Sequence, residues 1–205
     1  VLSVKPSLSV VELGTEKSNC ALIFEDDEQF RYTLMEPSHF DLGTIAQAQL
    51  LIVNETAKLN ETLQQTLLDA VSEGASLMVF PSLDDPKNNN YLYQKLGLSV
   101  VEADTNATAV EDLAVQHDFF NDMILNLPQY PDLPKVKQHI RLKSNGIPTS
   151  LLTMKNGDPL MLSETVGNGQ VFVMATALSP AWSDFADNAL FVPMMVKATF
   201  MGGKI

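Results

Sequence analysis

Short apolar runs, separated by longer polar or helical stretches, divide the first hundred residues of the chain. Three of these runs are rich in aliphatic side chains, and each ends at a glycine, a polar residue or a proline. A continuous apolar run of about four to eight residues is typical of a strand buried on both faces of a parallel sheet. The pattern therefore predicts strands over Leu8–Leu13, Gln49–Val53 and Ser76–Phe80.

The clearest helix signal lies between the second and third of these runs. Apolar residues recur there at i, i+4, i+5 and i+8, which places on one stripe of a helix Leu63, Leu67, Leu68 and Val71. We therefore predict a helix over Leu59–Ser72, with Asn60 as its N-cap and Gly74 just past its end. The order strand, helix, strand predicts a right-handed parallel crossover.

Weaker patterns predict four more elements in this half of the chain. Glu16–Asp27 is predicted as a helix, and its core side would carry Cys20, Leu22, Ile23 and Phe24. Apolar and polar side chains alternate over Gln29–Met35, which predicts a half-buried strand. A short helix over Asn89–Leu96 and a strand over Leu98–Glu102 are predicted to follow.

From Lys135 onward the apolar pattern changes to a period of two, and glycine-containing turns separate the runs. The pattern predicts four strands, over Lys135–Lys143, Pro148–Met154, Leu160–Thr165 and Gln170–Thr176. A final apolar helix is predicted over Asn188–Met201, with Pro193 in its first turn. We therefore predict one α/β domain over residues 1–205, with a parallel sheet first and an antiparallel meander after it.

The composition disfavours several classes of function. The chain has 13 basic and 25 acidic residues, and its net charge of −12 disfavours binding to nucleic acid. Cys20 is the single cysteine, which excludes an internal disulfide and a cysteine-rich zinc site. The sequence contains no cofactor motif and no apolar run of about 18 residues that could span a bilayer. Because the chain begins at Val1, we expect it to be a piece of a longer protein.

A run of alternating basic residues is the most prominent charged feature. Alternate positions of a strand share one face, and basic side chains occupy Lys135, Lys137, His139, Arg141 and Lys143. This face could bind an anion or an acidic partner. It could equally be a solvated face, or an edge strand whose charges prevent aggregation.

Polar residues follow two of the predicted parallel strands. Asn54 and Glu55 follow the second strand, and Ser82, Asp84 and Asp85 follow the third. Open α/β folds bind ligands at the carboxyl ends of their strands. These five residues are therefore our candidate binding residues.

Ser82 is also a candidate nucleophile, because it comes directly after a predicted strand. Its flanking residues are larger than those of a G-x-S-x-G elbow, and no spacing links it to His39, His117 or His139. Cys20 lies among apolar neighbours, where a thiol is usually inert. A divergent hydrolase that uses Ser82 is therefore kept only as an alternative.

The single tryptophan, Trp182, follows the last predicted strand in the sequence Trp-Ser-Asp-Phe. Aromatic and polar side chains together can line a carbohydrate-binding groove, and an exposed Trp182 would favour a carbohydrate-binding module. The alternative is that Trp182 and Phe185 cap the core beneath the last helix.

Longer segments resemble known proteins. Gln49–Asp85 contains a strand ending in Asn-Glu, a helix, Glu-Gly and a strand ending in Phe-Pro-Ser, and it is similar to the class I glutamine-amidotransferase-like fold. Four further segments resemble the extramembrane domain of bacterial BatA-like proteins, which carry an N-terminal double-transmembrane aerotolerance-regulator region. These segments are His117–Phe120, Gly167–Gly169, Trp182–Phe185 and Leu190–Pro193.

The resemblance implies a flavodoxin-like three-layer sandwich, tethered to a membrane and facing the periplasm of Bacteroidetes-type bacteria. Active amidotransferases of this fold use a cysteine in a strand-to-helix elbow and a distant His-x-Glu. Cys20 does not occupy such an elbow, and the chain has no His-x-Glu. We therefore expect a non-catalytic binding or scaffolding domain that contacts protein partners in the cell envelope and uses no cofactor.

Overall fold

The computed structural model describes residues 6–123, 128, 129 and 131–203. Eleven strands lie in this part of the chain, numbered here in chain order. They are β1 (Leu8–Leu13), β2 (Phe30–Met35), β3 (Leu50–Val53), β4 (Ser76–Val79), β5 (Leu98–Asp104), β6 (Thr108–Leu113), β7 (Lys135–Val136), β8 (His139–Ser144), β9 (Thr149–Met154), β10 (Pro159–Val166) and β11 (Gly169–Met174).

Five α-helices connect or follow these strands in the described residues. They are α1 (Ala21–Phe24), α2 (Leu42–Gln47), α3 (Glu61–Ser72), α4 (Asn90–Lys95) and α5 (Phe191–Met201). Short 3-10 turns lie at Pro37–His39, Asp118–Phe120 and Phe185–Asp187.

Within the described residues, nine strands form one mixed sheet in the order β2-β1-β3-β4-β11-β10-β9-β6-β7. The first five of these are parallel to one another, and β11, β10 and β9 then form an antiparallel meander. The prediction of an α/β fold with a large, mostly parallel sheet is therefore confirmed, as is the antiparallel order of the last three strands.

The predicted strand Lys135–Lys143 is wrong, because the chain forms two short strands in two different sheets. β7 lies at the edge of the main sheet, whereas β8 pairs with β5 in a separate antiparallel pair. The break falls at Lys137 and Gln138, whose backbone N–H groups both donate to the carbonyl oxygen of Trp182, at 2.7 and 3.2 Å. This shared acceptor turns the chain out of the main sheet.

The parallel strands are buried on both faces. Leu51 and Val53 enter one hydrophobic cluster, together with side chains from α2, α3 and α4. Leu50 and Ile52, the alternate residues of the same strand, enter a second cluster with side chains from α1 and α5. Because both faces are covered, the central strands have the continuous apolar pattern seen in the sequence.

The helix predicted over Leu59–Ser72 is confirmed as α3. The Asn60 side chain accepts a hydrogen bond from the backbone N–H of Leu63 at 2.8 Å, which satisfies one of the free donors at the start of the helix. Gly74 has a φ of 124° just past the last turn, in a region that favours glycine.

The helix predicted over Glu16–Asp27 is only four residues long, as α1. The Ser18 backbone N–H instead donates to a carboxylate oxygen of Glu12 at 2.9 Å, and the Cys20 N–H donates to the Ser18 hydroxyl at 3.1 Å. These bonds hold the segment in a turn against the end of β1. Cys20 is buried as predicted, but Leu22 is 81% exposed.

Candidate functional site

A buried carboxylate lies near the carboxyl end of β1, where the loops after β1 and β3 meet. Glu12 is fully buried and accepts three hydrogen bonds. The Tyr32 hydroxyl donates to Oε1 at 2.8 Å, and the Ser18 N–H and Asn54 Nδ2 donate to Oε2 at 2.9 and 2.8 Å. These four residues, Glu12, Ser18, Tyr32 and Asn54, are called the Glu12 network below.

Asn54 has no hydrogen-bonding capacity left for a ligand. Its amide nitrogen also donates to the Glu16 carbonyl at 2.7 Å, and its Oδ1 accepts from the backbone N–H and hydroxyl of Thr56 at 2.9 and 2.7 Å. Both donors and both acceptor positions are therefore used. Asn54 is also buried, and a Cβ atom at Gly14 would collide with its amide. Asn54 therefore joins two loops in this structure and offers no free hydrogen-bonding group to a ligand.

Glu55 joins the loop after β3 to the segment after β11. Its Oε2 accepts a hydrogen bond from the Ser179 N–H at 3.3 Å, and its backbone carbonyl accepts from the Leu83 N–H at 3.4 Å. Burial raises the pKa of Glu55 above its ordinary value, although the backbone bonds oppose this. The structure therefore brings Glu55 beside the loop that carries Asp84 and Asp85, which are both exposed.

Ser82 lies in the same loop, but its surroundings do not resemble those of a nucleophile. The hydroxyl is buried, and it accepts a weak hydrogen bond from the Asp85 N–H at 3.4 Å. Among the described residues, Asp122 is the one non-glycine residue with positive φ, so Ser82 does not occupy that strained conformation.

The three histidines all have partners other than Ser82 in the described structure. His39 contacts the Ser38 hydroxyl at 3.0 Å, and His117 Nδ1 accepts from the Phe119 N–H at 3.1 Å. His139 Nε2 lies 2.9 Å from Asp158 Oδ2. None of these hydrogen bonds joins a histidine to the Ser82 hydroxyl, so none of them provides Ser82 with a general base.

Cys20 is equally unsuited to act as a nucleophile. It is fully buried, and burial raises the pKa of its thiol, with the nearby Glu12 carboxylate acting in the same direction. Since the thiolate is the reactive form, the surroundings of Cys20 suppress its reactivity.

The predicted basic face is wrong as a single surface. Four of its five members are exposed, namely Lys135, Lys137, Arg141 and Lys143, but His139 is fully buried. The strand is interrupted at Lys137 and Gln138. This interruption separates the first two lysines, at the edge of the main sheet, from the other residues, which lie on β8.

Lys135 and Lys137 instead line an open cleft of about 780 Å³ together with Lys155, in the turn between β9 and β10. Asp104, Asn106 and Asn156 contribute polar side chains to the same cleft. The sequence analysis missed Lys155, because no local pattern relates it to residues twenty positions earlier. This cavity is called the lysine cleft below.

Asp104, His139 and Asp158 form the one group in the described residues with potential metal-ligand atoms within 4.8 Å of one another. The Arg141 Nε lies 3.6 Å from Asp158 Oδ2, so a cation already neutralises that carboxylate. His139 Nδ1 has no hydrogen-bond partner among the described residues, whereas metal-bound histidines usually donate through their second nitrogen. The group therefore fits an ion-pair network better than a metal site.

Trp182 is buried, and its backbone carbonyl accepts the two hydrogen bonds from Lys137 and Gln138 between β7 and β8. It packs in the cluster lined by α2, α3 and α4, while Phe185 packs in the opposite cluster, with its ring 5.3 Å from that of Phe191. The two aromatic residues therefore cap opposite faces of the sheet. A buried Trp182 counts against the carbohydrate-binding alternative.

No protein-family model matches the sequence, and no curated protein matches it. Solved structures do match. Two cytoplasmic proteins, one from Salmonella typhimurium LT2 and one from Salmonella typhimurium, both align with a TM-score of 0.74, at 14% and 13% identity. The alignments cover 96% and 97% of this chain and 100% of each of those chains.

A ThuA-like protein from Parabacteroides merdae aligns with a TM-score of 0.64 at 12% identity, over 97% of this chain and 90% of that one. Glycosidases also match, but the aligned region is only 27% to 35% of their own length. At these identities the likeness establishes the fold and not the activity.

The expected location on the periplasmic side of a membrane is contradicted by this comparison. Both Salmonella proteins, which match over their whole length, are named as cytoplasmic proteins. In the part of the chain that the structure describes, no helix has the length and apolar character needed to cross a bilayer.

Proposed function

We propose that this chain is a non-catalytic binding domain built on a class I glutamine-amidotransferase-like scaffold with three layers. The ThuA-like structural neighbour supports this scaffold, and so does the strand order β2-β1-β3-β4, which follows the flavodoxin-like pattern. Helices on both faces of the parallel strands agree with the layered arrangement.

The Glu12 network is the observation that carries the proposal. In open α/β sheets of this order, ligands bind in the crevice at the point where the strand order reverses, here between β1 and β3. The carboxylate of Glu12 and the amide of Asn54 fill that position and satisfy each other. A ligand that entered this position would have to separate Glu12 from its hydrogen-bond donors. The buried carboxylate would then lack partners, which costs about 3–5 kcal/mol.

Recognition therefore falls to side chains outside this locked position. Asp84 and Asp85 are exposed on the neighbouring loop, and Glu55 is half-buried beside them. We expect these acidic loops to contact a protein partner, since they offer charge at the surface.

The divergent hydrolase with Ser82 as nucleophile is the competing function, and a reactivity assay separates the two. The native protein would be treated with a fluorophosphonate probe, which reacts with activated serines, and labelling would be located by mass spectrometry. A serine hydrolase would confirm that the probe is competent. The proposal predicts no labelling of Ser82 above that of a urea-unfolded sample.

Ser82→Ala and Ser38→Ala form a matched pair for this assay. Ser38 is exposed and contacts His39, so it controls for an ordinary surface serine beside an imidazole. Stoichiometric labelling that disappears in Ser82→Ala but persists in Ser38→Ala would establish Ser82 as a nucleophile and refute the non-catalytic proposal.

A further inference from the structure

Three lysines from separate parts of the chain converge on the lysine cleft. Lys135 begins the edge strand β7, Lys137 lies in the short connection between β7 and β8, and Lys155 belongs to the turn between β9 and β10. All three are exposed and line the same open cavity of about 780 Å³. This volume lies in the range of small-molecule sites, about 300–1,000 Å³.

These lysines have no ion-pair partners in the described structure. The salt bridges among the described residues involve Lys17, His39, His139 and Arg141, and none reaches an ammonium group of the cleft. Lys17 is the one lysine among the described residues that forms an ion pair, so what distinguishes the cleft is the convergence of three free ammonium groups on one cavity. Three neighbouring positive charges repel one another, and a bound anion would remove that repulsion.

The remaining polar groups of the cleft suit a ligand that also carries hydroxyl groups. Asp104 can accept hydrogen bonds from hydroxyls, and Asn106 can donate and accept. Asn156 Oδ1 already accepts from the Asp158 N–H and its Nδ2 donates to Asp158 Oδ2 at 3.4 Å, which leaves one donor and one acceptor position for a ligand. Among the described residues, those that line the cleft include no aromatic side chain, so this part of the cleft offers no stacking surface for a nucleobase.

Both rims of the cleft are held in place by local hydrogen bonds. The Asn106 N–H donates to Asp104 Oδ1 at 2.8 Å on one side, and the Asp158 N–H donates to Asn156 Oδ1 at 2.9 Å on the other. Such turns fix the backbone without a ligand. The polar atoms are therefore positioned in advance, which lowers the cost of ordering them on binding.

We propose that the lysine cleft binds a small sugar or polyol phosphate, with Lys135, Lys137 and Lys155 around the phosphate and Asp104 and the two asparagines on the hydroxyls. Three ammonium groups and one carboxylate leave two positive charges, which match a phosphate monoester dianion better than a monocarboxylate. This inference goes beyond the proposed function, because it names a small-molecule site on a different edge of the sheet.

Isothermal titration calorimetry with glucose 6-phosphate, inorganic phosphate and glucose tests the site. We expect glucose 6-phosphate to bind at least about fivefold more tightly than inorganic phosphate, and glucose to give no measurable binding. Raising the salt from about 20 mM to about 300 mM should weaken the binding, because the cleft is open to solvent.

Lys135→Gln and Lys155→Gln should each weaken glucose 6-phosphate binding by at least about fivefold, because each removes one charge. Lys143→Gln is the matched control: Lys143 is exposed on β8 and lies outside the cleft, and its loss should change the affinity by less than about twofold. A thermal melt of each variant checks that the fold is intact.

Several outcomes would overturn the inference. Glucose binding as well as its phosphate, or inorganic phosphate binding equally well, would remove the combined recognition of phosphate and hydroxyls. Equal losses in Lys143→Gln and the cleft variants would indicate a diffuse charge effect. Because Ser82 labelling is measured independently, failure of the lysine cleft leaves the non-catalytic proposal standing, and the converse also holds.

Discussion

Asn54→Asp is a nearly isosteric change that tests the Glu12 network. The aspartate keeps the shape of the side chain but removes both N–H donors. In the wild-type protein these donate to Glu12 Oε2 at 2.8 Å and to the Glu16 carbonyl at 2.7 Å. In the variant a carboxylate oxygen would face each of these acceptors, in a position that is almost fully buried.

The size of the effect follows from these two contacts. A hydrogen bond to a charged group contributes about 1.5–3 kcal/mol and a neutral one about 1 kcal/mol. The cost of keeping one of two adjacent buried carboxyl groups protonated at neutral pH adds to the loss of both bonds. We therefore expect Asn54→Asp to lower the free energy of unfolding by about 3–5 kcal/mol at neutral pH.

The penalty should depend on pH with a definite sign. Two adjacent buried carboxyl groups cannot both ionise, so the pKa of the introduced aspartate is raised in the folded state above its unfolded value of about 3.9. The folded variant then retains a proton that the unfolded chain releases. The penalty is therefore largest above the raised pKa and decreases as the pH falls towards the unfolded value.

Urea unfolding between about pH 5 and about pH 8 measures this effect. Asn60→Asp is the control, because Asn60 caps α3 and aspartate caps a helix as well as asparagine does. Its stability should stay within about 0.5 kcal/mol of the wild type at each pH. The reasoning is refuted if Asn54→Asp loses less than about 1 kcal/mol at neutral pH, or loses the same amount at every pH.

Three further predictions use matched positions. Ellman's reagent should react with Cys20 in the native protein at less than about 1% of its rate in urea, because burial raises the pKa of the thiol and blocks access; a rapid native reaction would show that Cys20 is accessible. Gly167→Ala should cost about 2–4 kcal/mol, since its φ is 56° and a Cβ would meet the backbone of Ser72, while Gly157→Ala, at a φ of 88° with open space, should cost about 1 kcal/mol; equal losses in thermal melts would contradict this. Leu67→Ala should cost about 2–5 kcal/mol in urea unfolding and Leu22→Ala less than about 0.5 kcal/mol, because Leu67 is fully buried and Leu22 exposed, and a similar cost for both would be inconsistent with the packing.

Some elements could be predicted from the sequence, because their local residue pattern agrees with how they pack in the fold. The helix α3 combines an apolar stripe, a capping asparagine and Gly74, and the structure uses all three as predicted. The central strands were predicted because burial on both faces leaves them almost wholly apolar. In these elements the short-range pattern contains nearly all the information needed.

The break between β7 and β8 could not be predicted from the alternation of side chains. The alternating basic residues suggested one strand, but the chain turns because a carbonyl more than forty residues later, that of Trp182, accepts two of its N–H groups. The same turn carries His139 into the interior, where Asp158 is its partner. A contact between distant segments overrides the local period here.

Glu12 was overlooked, although the sequence contains a signal for it. A glutamate in the run Leu-Ser-Val-Val-Glu-Leu stands at a position where a buried strand would otherwise be apolar. Such a residue needs hydrogen-bond partners if it is buried. Its partners, Ser18, Tyr32 and Asn54, cannot be identified until the sheet order is known.

The Glu12 network also bears on how cooperatively the protein folds. Its partners lie 6, 20 and 42 positions further along the chain, so the carboxylate is satisfied only after β2, β3 and the turn at Ser18 have all docked on β1. In a collapsed chain with one of these segments misplaced, the Glu12 carboxylate would either be buried without a hydrogen-bond partner or be exposed to water. Partly assembled forms of this half of the sheet are thereby disfavoured, and strands that pair in the wrong register gain little from their apolar side chains alone.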